Sequence, residues 1–197
     1  TSKGLLITSL GVLLVVPDSL FVRLIDASAF TIAFWRLLLA GGMLGLGILA
    51  LKGLNPFRAA INTGIYGLIY VVGVGVSGIL FILAVSLTSV ANVVFIIASL
   101  PVFAAVYSRI FLAEPIRLRM WVTMAAVMVG LAVIAYGSAE AEKASLVGDA
   151  LALAVSALFA AALTAARRVK HVSMVPAVAI GYVLGALVIL PFAAPFS

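Results

Sequence analysis

Between Ala84 and Gly137 the chain runs as two long apolar stretches joined by a short charged turn, AVSLTSVANVVFIIASLPVFAAVYSRIFLAEPIRLRMWVTMAAVMVGLAVIAYG. A soluble domain has no use for apolar helices of this length with so few charges between them. A bilayer core about 30 Å thick needs roughly 20 such residues per helical crossing. With 66% hydrophobic and 9% charged residues overall, lipid and not water is the solvent this sequence is written for. Period-two alternation of polar and apolar residues is absent, which excludes a transmembrane barrel. The fold class that follows is an all-α integral membrane bundle.

Charged and turn-forming residues divide the chain into about seven spans, at roughly 4–25, 29–51, 62–86, 90–112, 118–137, 147–166 and 173–194. If these alternate in direction, Lys3, Lys52, Arg58, Arg109, Arg117, Arg119, Arg167, Arg168 and Lys170 fall on one side. Only Arg23, Arg36 and Lys143 do not. The basic side is cytoplasmic by the positive-inside rule, so the N-terminus is cytoplasmic and the protein is multi-pass in the plasma or inner membrane. The net charge of +6 is thereby a topology signal. Nucleic acid is not an expected partner, because the cations sit in the gaps between spans and form no patch with interleaved aromatics.

The chain has no cysteine, hence no disulfide framework and no thiolate site. The first span resembles a secretion signal but has no small-x-small cleavage site, and it reads as an uncleaved span. Because the first residue is Thr1, the expectation is a trimmed product of a longer chain. A shift of 144 residues pairs Gly4 with Gly148, Arg23 with Arg167, Ala33 with Ala177 and Gly41 with Gly185. Spans six and seven would then repeat spans one and two, giving one five-helix unit over residues 1–140 and a partial second over 146–197. A unit with an odd number of spans inserts its copy upside down, as in many secondary transporters.

Several residues together resemble a known family: Arg36 within FWRLLLAG, the turn with Ala84, Thr88, Ser89 and Ala91, Pro101 inside span four, Glu114 in FLAEP, and Gly130. The pattern resembles the EamA-type domain of the drug/metabolite transporter superfamily. It is close over spans one to five and looser over spans six and seven. The resemblance implies two inverted repeats of about five helices each and export of amino acids, nucleobases or other small metabolites.

Asp18 and Arg36 are the ionisable residues set deepest in spans, each about seven residues, hence about 10 Å, below the outer surface. Charge at such depth calls for a partner or a wet cavity. Two readings are open, an ion pair that locks two helices and a substrate-binding pair. Pro17 frees the carbonyl of Leu13 beside Asp18, either as a helix break lining a site or as a kink that shapes packing. In span four, Thr88, Asn92 and Ser99 follow a helical stripe next to a second break at Pro101. Hydrogen bonding to neighbouring helices is the commoner role for such a stripe, and substrate binding the alternative. Trp35 belongs either to an aromatic belt or to the wall of a cavity.

Residues 73–78, GVGVSG, match a dinucleotide fingerprint literally, but they lie inside an apolar helix with no acidic residue before Glu114. They form a small-residue face for close helix approach. The pairs Gly41/Gly45 and Gly181/Gly185 could join helices or, in a homodimer, whole protomers. Glu114, flanked by Arg109, Arg117 and Arg119, is read as capping or pairing at a helix end of the cytoplasmic turn, with a gate role as the alternative; Asp149 reads as an interfacial carboxylate or a substrate contact, and His171 as a surface residue rather than a proton carrier.

No metal-ligand cluster or catalytic motif is present, so no enzyme activity and no cofactor are expected. The functional expectation is a secondary transporter of small polar or amphipathic metabolites, coupled to a proton or sodium. The alternative is a non-transporting membrane scaffold or assembly subunit.

Overall fold

The computed structural model describes residues 27–115, 118–138 and 145–194, and every described element is helical. In chain order these are α1 (Ala29–Lys52), α2 (Asn55–Ile61), α3 (Ile65–Leu87), α4 (Val90–Ile97), α5 (Leu100–Phe111), α6 (Leu118–Ser138), α7 (Leu146–Arg168) and α8 (Val175–Ile189), followed by a 3-10 turn at Leu190–Phe192. Among the described residues, five helices are long and apolar enough to cross a membrane: Ala29–Lys52, Ile65–Leu87, Val90–Phe111, Leu146–Arg168 and Val175–Phe192. The span expected at 4–25, with Pro17 and Asp18, lies outside the described residues. So does the loop around Lys143.

Local chemistry sets the helix ends. Ser28, Ser89 and Ser145 each cap a helix by accepting from the backbone N–H three residues on, at 3.2, 3.1 and 3.3 Å. Such caps satisfy donors that the helix itself leaves unpaired. Gly53, at φ 67°, ends α1 by donating to the Leu49 carbonyl. Arg167 and Arg168 occupy the last turn of α7, where the negative end of the helix dipole favours cations.

The α3 helix is central, with α7 packed along one side and α1 and α8 along another. Contacts reveal the directions. Gly41 of α1 lies against Tyr182 and Ala179 of α8, and Gly45 against Ala179, so these two helices run antiparallel. The two G-x-x-x-G pairs thus meet neighbours within the chain. Gly73 lies against Leu158 and Ala162 of α7, while Gly75 and Gly181 bring α3 and α8 into backbone contact. On the periphery, Met43, Leu46, Leu51 and Val188 stay exposed, as befits side chains that face lipid.

Cross-helix hydrogen bonds link Thr88 to Asp149, Ile96 to Ser156 and Ser108 to Arg167. Their sequence separations, 61, 60 and 59 residues, are nearly constant, so the α4–α5 unit and α7 run parallel and in register. The chain must therefore cross back between Phe111 and Leu146. The 21 residues of α6 extend about 31 Å, enough for that return.

Candidate functional site

Span four is broken. Its first segment ends at Ile97, its second starts at Leu100, and Ala98 and Ser99 form a turn between them. Pro101 follows in the first turn of α5, where its missing N–H costs least. The break begins before the proline because Pro101 cannot donate to the Ile97 carbonyl. Side chains answer the disruption: Ser99 Oγ donates to the Ile96 carbonyl at 2.6 Å, and Ser156 Oγ reaches the same carbonyl from α7 at 3.1 Å. Ser99 is 2% exposed and Ser156 fully buried. Ser156 lies ten residues into α7, about 15 Å from its start, which is near the middle of a bilayer core. Interhelical bonds of this type contribute about 0.6 kcal/mol on average, enough to hold a register but not to weld it.

Polar contacts also tie this seam at its two ends. At one, Thr88 Oγ1 donates to Asp149 Oδ1 at 3.0 Å, and Gly148 lets the Thr88 backbone come close. Thr88 is not on span four but is the C-cap of α3, with φ −135° and ψ −179°. The stripe counted as one helix thus has a non-helical first member, yet Thr88, Asn92 and Ser99 are all buried. At the other end, Arg167 donates to Ser108 Oγ at 3.1 Å and stands 3.8 Å from Glu114. Glu114 thus meets a cation of α7. With both partners more than half exposed, that ion pair is worth under about 1 kcal/mol. The turn presenting Glu114 includes Ala113 at φ 54°, a backbone region in which glycine is usual.

On the far side of α3, Arg36 stacks over the Phe81 ring, with the guanidinium carbon 5.4 Å from the centroid. Arg36 is seven residues past the start of α1 and Phe81 six before the end of α3, so the depths agree at about 10 Å. Trp35 is exposed and packs edge-on against Phe34, ring centroids 5.3 Å apart.

Next to the Arg167 end, α3, α5 and α7 enclose a cleft of about 210 Å³. Tyr66, Tyr107 and Phe111 supply aromatic walls, Thr164 a hydroxyl and Arg168 the charge. Arg168 Nη2 donates to the Phe111 carbonyl at 3.0 Å.

A model of the EamA-like transporter family matches residues 2–136. The chain belongs to the EamA-like transporter family. No curated protein matches it. As a member of that family it is an integral, multi-pass membrane protein of the drug/metabolite transporter superfamily, whose members are transporters and not enzymes.

Within this EamA-like bundle, Asn92 and Ser99 are both buried on span four, Ser99 at the seam with α7 through the carbonyl it shares with Ser156, with Pro101 beside the break. Arg36 and Trp35 stand on α1, across α3 from that seam. Among the described residues no group of three or more His, Asp or Glu side chains is placed to hold a metal. Sequence reasoning passed over Ser156, Ser108 and the aromatic walls of the cleft. A signal for the walls was present, since Phe103, Tyr107 and Phe111 recur every four residues, which stacks them on one helix face. Ser156 had no comparable signal, because its partner lies 60 residues away.

Proposed function

We propose that this EamA-like protein is a secondary transporter that carries small metabolites of amino-acid or nucleobase type across the cytoplasmic membrane by alternating access. The observation that carries the reading is the broken span four, which carries buried Asn92 and Ser99 and runs in parallel register with α7. Transporters place substrate and ions at such interrupted helices near the bilayer midplane, where loosened backbone and polar side chains replace water. Arg36, Trp35 and Asp18 are proposed as further substrate contacts, with a proton or sodium as coupling ion.

The two-unit organisation, 1–140 and 146–197 with inverted topology, is part of the proposal. Supporting it, α1 and α8 are the equivalent second helices under the 144-residue shift, and they run antiparallel against each other. An efflux test in cells checks the function: cells expressing the protein should lose preloaded labelled amino acids or nucleobases faster than controls. Equal retention across the panel would favour the scaffold reading.

Orientation is proposed with the Lys52 and Lys170 ends cytoplasmic and Lys143 outside, on the nine-to-three asymmetry of basic residues. Single cysteines are practical because the chain has none. An impermeant thiol reagent applied to intact cells should label a cysteine at position 143 and spare those at 52 and 170. The reverse pattern would invert the topology.

A further inference from the structure

We propose that the cleft between α3, α5 and α7 is a binding site for a small free amphipathic anion, an apolar ring or short chain ending in a carboxylate. Three observations lead there. The first is charge. Among the described lining residues Arg168 alone is charged, and Glu114, the acid at this end of α5, has Arg167 3.8 Å away as its own cation. A guanidinium has five N–H donors in a planar fork, and the Phe111 carbonyl takes one of them. Donors therefore remain for a carboxylate, which guanidinium binds through two parallel hydrogen bonds.

The second observation is shape and surface. Tyr66, Tyr107, Phe111 and Ile69 make the walls predominantly apolar, and the volume of about 210 Å³ lies below the range of about 300 to 1,000 Å³ usual for drug-sized ligands. A body the size of one ring fits. Arg168 is exposed, so a neutral apolar molecule would gain nothing from its guanidinium, and a cation would be repelled.

The third is placement. Phe103, Tyr107 and Phe111 stack in sequence along α5, with ring centroids 6.4 and 6.2 Å apart. Ser99, at the break, is the N-cap of the same helix. The row of rings thus runs along α5 from the cleft toward the broken segment of span four, so an anion held at Arg168 would sit at the far end of that row. Calling the ligand a cargo rests on the transporter reading; its binding does not.

The test uses 4-phenylbutyrate as probe, with 4-phenylbutan-1-ol and 4-phenylbutylamine as neutral and cationic isosteres. Saturable binding is measured by ligand-observed NMR titration of the full chain in phosphatidylcholine nanodiscs, with empty nanodiscs subtracted. The carboxylate should bind at least about tenfold more tightly than either isostere, the effect of one charge-assisted hydrogen bond. Arg168→Gln should erase that preference, Arg168→Lys should retain most of it, and Tyr107→Ala should weaken all three probes alike. Equal binding of the three probes by the wild type, or an undiminished preference in Arg168→Gln, would overturn the proposal. Repeating the titration at high salt in nanodiscs containing phosphatidylglycerol separates the sources of the anion. If the anionic lipid abolishes saturable binding there, the cleft is a lipid headgroup site and the free-anion proposal fails. No transport is measured, so a chain that binds 4-phenylbutyrate but moves no solute would sink only the transporter reading.

Discussion

Gly75→Val and Gly181→Val will each severely destabilise the bundle. A Cβ built on Gly75 would lie 2.5 Å from the Gly181 carbonyl oxygen, and one on Gly181 would lie 2.6 Å from the Val71 carbonyl oxygen. Both obstacles are backbone, which cannot rotate away as a side chain end can. The α3 and α8 helices would have to separate, and with them the contacts of Leu37, Gly78 and Gly185 that fill the same crossing. Overpacking costs typically about 1 to 3 kcal/mol, and a backbone obstacle at a central crossing belongs at or above the top of that range. Against a total stability of about 5 to 15 kcal/mol, the loss is severe. Thermal unfolding in detergent, followed by size-exclusion chromatography, checks it. Gly42→Val is the control, because among the described residues no atom outside its own helix stands within 4 Å of that position's Cβ. It should melt close to the wild type, whereas the variants at 75 and 181 should aggregate or melt far lower. A wild-type melt for Gly75→Val would mean that α3 and α8 do not cross as described.

Arg36→Ala should lower transport at least about tenfold while leaving an inserted, folded protein. A guanidinium about 10 Å inside the hydrocarbon core is costly, by about 2.5 to 3.5 kcal/mol on insertion scales, so its surroundings must compensate. The Phe81 face is one compensation, worth about 2 kcal/mol when desolvated. Losing it loosens α1 from α3 by an amount the rest of that interface, centred on Ala33, Leu37 and Ile82, can absorb. Loss of the charge itself removes the group expected to meet an anionic part of the cargo. Arg36→Lys should fall between, since an ammonium keeps the charge but not the planar stack. Rates are normalised to protein inserted in the vesicles. An Arg36→Ala rate equal to wild type would remove Arg36 from the transport route.

Much of the fold was legible in the sequence because lipid imposes a length. Spans read at 29–51 and 147–166 appear as Ala29–Lys52 and Leu146–Arg168, where the caps Ser28 and Ser145 and the basic last turns set the ends. The start of span three was less clear. The separate helix Asn55–Ile61 precedes α3, because Gly64 at φ 64° breaks an otherwise helix-compatible run. The break in span four was signalled by Pro101, but its position one turn earlier reflects which carbonyl the proline fails to serve.

Contacts between distant segments were not legible. Glu114 has three arginines near it in sequence, yet the constant offset of about 60 residues between span four and α7 brings Arg167 to it. The same offset, invisible in any local pattern, joins Ser156 to Ile96 and Asp149 to Thr88. Glycine faces were readable as close-approach surfaces, but not which face met which.

Transport itself is tested most directly by counterflow. Proteoliposomes holding the purified protein are loaded with a high concentration of one unlabelled amino acid or nucleobase and diluted into the same compound, labelled, at trace level. If this EamA-like chain alternates access, the label should accumulate inside above its equilibrium level and then decay, for at least one compound in the panel. If label entered no faster than into protein-free vesicles for every compound, with and without a proton or sodium gradient, the chain would not be a transporter of this class.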